Sequence, residues 1–382
     1  MFDQRRISLA DIAIGEPLPW DVYGEGNRLL LKRGQVIVSM RQAESLLSRG
    51  LFIHADEQEK GAQPKQEQRA GAKAEQPSAL RFINLATKRL ERVLYNFASE
   101  ENVQAKVLEV VKALGYAGTV NADVCLAAML LNQGSSSYAV RHGVDSALLA
   151  RQVARAMNKT EREVEDIMAA CLTMNIGMLR QQDQFQARTE PLGPKDAELV
   201  RNHPAESVRM LRQAGIDRPD WLEFVLLHHE LDNIQPSVEG GIREIPQNAK
   251  IVSLADRYTA SVTTRKYKKT LLPAMALRDV FMKNGTPSDP TLAAYFVKEL
   301  TTYPPGSLVK LQSGEVGVVT RRGKSSTTPT VHAFLGPRGA PLSYPIARDT
   351  SKDLYLIRGA IPGDAAALCF SLQQLWGSDA AL

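Results

Sequence analysis

From Ala55 to Ala79 the chain has no valine, isoleucine, leucine, methionine or aromatic residue. A stretch of that composition cannot bury enough apolar surface to offset the entropy of ordering it, so it reads as a flexible linker. It divides the 382 residues into a small module over 1–54 and a long body from residue 80. At ~100–200 residues per domain, the body has room for one large domain and a smaller one. In the small module two apolar runs, Leu29–Leu31 and Val36–Val38, are joined through Arg33-Gly34 in the manner of a hairpin. Ser39, with Gln42 three residues on, then opens a helix that Gly50 stops. The expectation is a small N-terminal α/β module used for interaction, with a homodimer as one outcome.

Composition narrows the class. Hydrophobic residues make up 44% and charged residues 23%, which is ordinary for soluble globular chains. The surplus of 47 basic over 42 acidic residues, +5, is too small and too dispersed to point to nucleic acid. Cys125, Cys171 and Cys369 follow no metal or disulfide spacing, and three is an odd number, which suits a reducing compartment. No run approaches the ~20 apolar residues of a membrane span. The opening MFDQRRISLADIAIGE has no apolar core of a secretory signal. These features predict a cytoplasmic protein with no membrane span and no nucleic-acid partner.

From 80 to 302 the pattern is helical. Leu80, Ile83, Leu90, Val93, Leu94 and Phe97 recur at helix spacing, as do Val107, Val110, Val111 and Leu114. Thr160 and Glu163 have capping-box spacing ahead of Val164, Ile167, Met168 and Cys171. Prolines at 194, 204, 219, 246, 273 and 290 punctuate the remainder into short helices. The prediction is a mainly α protein with a multi-helix bundle. After Tyr303-Pro304-Pro305-Gly306 the character changes. LVKLQSGEVGVVTRR alternates about Ser313-Gly314 as a hairpin does, and Thr330–Phe334 and Leu354–Ile357 offer further strands. Residues 303–362 read as a small β-barrel-like appendage, and 363–382 as a tail. Arg321, Arg322 and Lys324 read as a solvated basic turn.

Four of six histidines, His142, His203, His228 and His229, lie in the helical body, and Asp256 ends the run KIVSLAD. Bundles build metal centres from such side chains, one or two per helix, converging on a common interior. The segments YAVRHGVDSALLARQVA, NHPAESVRML, LLHHE, EIPQNAKIVSLADRYTA and TTRKYKKTL, in this order, resemble the HD-GYP domain. That is the branch of the HD phosphohydrolase superfamily that hydrolyses cyclic di-GMP. The resemblance implies an HD-type bundle and places family metal ligands at His142, His203, His228, His229 and Asp256. It also implies that Arg265, Lys266, Lys268 and Lys269, around Tyr267, lie near nucleotide phosphates.

Against the family pattern, Met174 and Asn175 stand where the defining His-Asp pair belongs, and Met178 where a lysine belongs. No Gly-Tyr-Pro follows the HHE segment; Ile234-Gln235-Pro236 stands nearest. In the family the aspartate bridges two dications, and a neutral asparagine leaves their repulsion with one carboxylate fewer to offset it. A thioether replaces imidazole poorly on iron or manganese. Two-metal hydrolysis needs one ion to make hydroxide and another to stabilise the departing oxygen. The reading is a catalytically degenerate member that binds rather than cleaves, acting as a regulatory module in bacterial cyclic di-GMP signalling through a protein partner. Either no metal or a single divalent ion (iron, manganese or zinc) is expected on His203, His228 and His229, with His142 reduced to a structural role. Two alternatives stand beside it: an active phosphodiesterase with an altered metal site, and a nucleotide-independent scaffold.

Overall fold

The computed structural model describes residues 4–7, 18, 20–24, 28–31, 33, 35, 52–54, 76–131, 136–230, 245–263, 270–283, 286–287, 289–362 and 370–382. Val36–Val38, the helix expected from Ser39 and most of the linker stretch lie outside them. Strands β1 (Gln4–Arg6), β2 (Val22–Gly24), β3 (Arg28–Leu31) and β4 (Phe52–His54) pair antiparallel in the order β1-β4-β2-β3. The run at Leu29–Leu31 is therefore a strand, and its described partner is β2, which the residue pattern did not single out.

The body is a helical bundle. Helices α1 (Ala79–Tyr95), α2 (Val103–Val120) and α3 (Ala122–Leu131) lead to α4 (Tyr138–Ala156) and α5 (Glu161–Thr173). After a single 3-10 turn at Ile176–Met178 come α6 (Leu179–Ala187), α7 (Pro194–Gln213), α8 (Pro219–Leu227), α9 (Gln247–Val262) and α10 (Pro273–Phe281). Two-residue strands β5 (Met282–Lys283) and β6 (Thr286–Pro287) precede α11 (Pro290–Leu300). Local signals account for many of the boundaries. Ser78 caps α1 by accepting from the Arg81 amide, and Thr160 and Glu163 form the full capping box of α5. Pro194, Pro219 and Pro290 sit in first turns, where the missing N–H costs nothing. The apolar stripes of α1 and α2 bury Leu90, Val107 and Leu114 completely, in one core that runs through α4, α5, α8 and α9. α4 runs through this core and is buried on nearly every side, which is why its one histidine is held so firmly.

The C-terminal region is a five-stranded antiparallel sheet, in the order β10-β9-β8-β7-β11. Its strands are β7 (Leu308–Leu311), β8 (Val316–Arg321), β9 (Thr330–Leu335), β10 (Pro341–Asp349) and β11 (Ile357–Ala360). The Ser313-Gly314 hairpin forms, with Gly314 at φ +88, a conformation that favours glycine. Two strands differ from the sequence expectation. Leu354 falls in a 3-10 turn, so the strand starts only at Ile357. β10 contains Pro341 and Pro345, which argue against a strand interior; it is an edge strand, and its register shifts between Pro341 and Ile346, where prolines are tolerated. Residues 370–382 pack rather than trail. Helix α12 (Leu372–Trp376) puts Leu375 among Leu308, Val318 and Phe334, and Ala380 is buried in the main core. The Ser78 hydroxyl donates to the Ala381 carbonyl at 2.6 Å, so the end of the chain closes over the start of α1.

Arg322 joins sheet to bundle and is not the solvated residue the sequence suggested. Its Nε donates to Asp123 Oδ1 at 2.8 Å and its Nη1 to Glu299 Oε2 at 2.8 Å, while Gln152 donates to the same Glu299 oxygen. Removing the guanidinium leaves two largely buried carboxylates short of a donor. Arg322→Met is expected to lower stability by about 1–3 kcal/mol in urea unfolding. A change below about 0.5 kcal/mol would mean that water replaces the contact without loss.

Candidate metal centre and ligand cavity

Proline sets the first histidine. Residue 204, inside α7, has no N–H, so the Val200 carbonyl four residues back loses its helical donor. His203 Nδ1 takes that place at 2.6 Å. His228 caps the C-terminus of α8, where the last carbonyls also lack intrahelical donors, and its Nδ1 meets the Val225 carbonyl at 2.7 Å. Both Nδ1 atoms are thereby assigned as N–H donors, which makes both Nε2 atoms acceptors in the neutral rings. Those two Nε2 atoms face each other at 3.1 Å in a buried setting.

Two lone pairs at that distance repel unless a positive charge lies between them. A proton is a poor candidate at neutral pH. Burial pushes the His203 imidazole down to about 4 and, reinforced by the charge of His229, the His228 imidazole down to about 3. A metal ion fits. His203, His228 and His229 bring three ligand nitrogens within 4.8 Å of one another, two of them buried and one exposed. The carbonyls on Nδ1 are the outer-shell partners that fix ring orientation in metal-ligating histidines. The adjacent His228 and His229 rings lie 4.0 Å apart, tilted by 40°, so both reach the one cluster.

His142 and Asp256 are organised differently. His142 Nε2 donates to Asp256 Oδ1 at 2.7 Å, so the nitrogen that a metal would need already carries a hydrogen. Burial alone would raise the Asp256 carboxyl, but that hydrogen bond and the charges of His142, His229 and His228 hold it well below the usual carboxylate range. Thr259, which donates to the Ala255 carbonyl and contacts Ser146, lies against the other face of the pair. His142 is thus no isolated structural residue: it is bonded to Asp256, and both line the cavity.

The turn that carries Met174, Asn175 and Met178 is pressed against α7. A Cβ at Gly177 would meet the His203 carbonyl oxygen at 2.8 Å and the Ser207 nitrogen at 2.9 Å, so only glycine allows the approach. Ser207 completes it by donating to the Met174 carbonyl and accepting from the Gly177 amide. Met174 is fully buried, while Asn175 and Met178 line a cavity of about 400 Å³ with His142, His229 and Asp256. That volume lies within the usual ~300–1,000 Å³ of ligand sites. Arg265, Lys266, Lys268, Lys269 and Ile234-Gln235-Pro236 lie outside the described residues.

Sequence reasoning missed Arg257, which brings a cation to the cavity wall although Met178 brings none. It also missed Tyr138, whose ring stacks on His142 at 5.6 Å, and the α6 face of Gln182, Phe185 and Gln186. The i, i+3, i+4 spacing on α6 was the available signal. That helix is fixed to α4 by Asp183, which accepts from the Ala139 amide at 2.9 Å and from the Tyr95 hydroxyl.

Residues 140–261 match the family model of the HD domain. Over those residues the helical body is similar to an HD domain. A cyclic di-GMP phosphodiesterase of Pseudomonas aeruginosa is 31% identical over 206 residues, 53% of this chain and 50% of the relative. A cyclic di-GMP phosphodiesterase of Thermotoga maritima is 27% identical over 160 residues, 41% of this chain and 44% of the relative. The chain thus spans half or less of the length of the relatives it matches. A solved structure described as an HDG"Y"P protein, from Bdellovibrio bacteriovorus, aligns with a TM-score of 0.49 at 16% identity, over 78% of this chain and 99% of that one. Among the described residues no single helix is long and apolar enough to cross a membrane.

The depressed histidines make a signed prediction for metal-free protein. Unfolded imidazoles titrate near ~6.5, so below that pH the unfolded state binds protons that folded His203 and His228 refuse. Stability should be full above pH ~6.5 and fall toward pH 4, by up to about 1.4 kcal/mol per pH unit for each histidine. Urea unfolding across pH 4–8 should show the loss, and His228→Gln should reduce it. A flat profile would show that the rings are not held neutral.

Proposed function

We propose that this HD domain binds cyclic di-GMP in the cavity of α4, α6 and α9 without hydrolysing it, and serves as a regulatory module. The observation that carries the reading is the unequal state of the two sets of ligand positions. His203, His228 and His229 converge, the first two with acceptor nitrogens facing each other, while His142 and Asp256 are bonded to one another beside Asn175. One ion, not two, is what those donors suit. Neutral imidazoles without a bridging carboxylate favour zinc or iron over manganese. A single ion bound there would polarise a phosphate oxygen, which is one of the two functions that two-metal hydrolysis requires. Cyclic di-GMP as the ligand is supported by the activity for which both relatives are named.

Arg257 lines the cavity as a cation for phosphate, and we assign Arg265, Lys266, Lys268 and Lys269 the same role. The output is contact with a signalling protein partner. The second reading, an active phosphodiesterase with an altered centre, draws its support from the names of those relatives.

One pair of experiments separates the two. Pure chain incubated with cyclic di-GMP and Fe²⁺, Mn²⁺ or Zn²⁺ should yield no linear dinucleotide above a His203→Ala control. The same nucleotide should raise the melting temperature of the wild-type chain, because a ligand that binds only the native state stabilises it. Turnover above the control would establish the enzyme. No turnover and no shift would establish a nucleotide-independent scaffold.

A further inference from the structure

Gln182 is a liability for the free protein. It is 7% exposed, lines the cavity, and its amide Oε1 is buried with no hydrogen-bond donor. A buried polar group without a partner costs stability that a methionine of similar volume would not. No hydrogen bond reaches that oxygen, and around it the next turn of α6 sets Phe185 on the same face while Leu192, Val200 and Val280 add apolar wall to the cavity.

We infer that Gln182 is the specificity residue of this cavity, its amide pairing with the edge of a purine base held against the apolar wall. An amide presents an acceptor beside a donor. The guanine edge, N1–H beside O6, is its complement: N1–H donates to Oε1, and Nε2 donates to O6. The apolar wall takes the flat face of the ring, and the His229, Asp256 and Arg257 side of the lining is left to the sugar-phosphate. The inference rests on the cavity being a cyclic di-GMP site. It adds the residue that recognises the base, which the metal-ligand positions do not supply.

The test uses the full chain and Gln182→Met, with melting temperature and calorimetric titration of cyclic di-GMP as paired readouts. Without ligand the variant should melt higher by roughly 2–4 °C, since an unpaired buried amide end is removed. Its affinity for cyclic di-GMP should fall at least tenfold, because a site that hydrogen-bonds its ligand loses most when that bond is deleted. A lower melting temperature would make Gln182 a structural residue and overturn the inference. So would unchanged affinity. If wild-type chain gives no heat with cyclic di-GMP, the reading of the cavity fails and the inference falls with it. That outcome is distinct from a wild-type chain that binds and a variant that binds equally well.

Discussion

Two imidazole nitrogens, both fixed as hydrogen-bond acceptors, face each other at 3.1 Å in a buried site. The organisation of the bundle around them follows from that constraint. Their Nδ1 hydrogens are committed to the Val200 and Val225 carbonyls, one freed by a proline and the other by a helix end. Neither ring can turn to relieve the contact without giving up a buried hydrogen bond, and burial opposes protonation. The geometry therefore suits a cation supplied from outside the chain. His229, exposed beside them, gives that cation a third ligand and an open side.

The same bundle closes the neighbouring position. His142 and Asp256 face across α4 and α9 and satisfy each other directly. Asparagine and methionine at 175 and 174 add no carboxylate of their own beside that pair. Charge explains why the two sets diverge. A pair of dications a few ångströms apart needs bridging anions, whereas one ion among neutral imidazoles does not. The proposed single-ion site follows from that difference, with Arg257 and the α6 face lining the cavity beside it.

How much of this was legible in the sequence depends on how local each determinant is. Thr160 with Glu163 and Ser313-Gly314 were readable because a cap or a turn is specified within a few residues, and both formed as read. The histidines and Asp256 were legible as a set, by spacing and by resemblance. What each does was not. That His142 pairs with Asp256 depends on how α4 meets α9, and that His203 commits its Nδ1 hydrogen to the Val200 carbonyl depends on a proline that looked like mere punctuation. β10 was hidden by its prolines, which only an edge position tolerates. Arg322 looked solvated because Asp123 and Glu299, which pair with it, lie far off in sequence. Gln182 carried no motif at all; its unmet hydrogen bond exists only in the folded cavity.

Anomalous X-ray scattering from crystals of metal-loaded chain addresses the central claim directly. The account predicts one peak per chain, touching His203, His228 and His229, with His142 and Asp256 still bonded to each other. Two peaks a few ångströms apart, the second between His142 and Asp256, would contradict it.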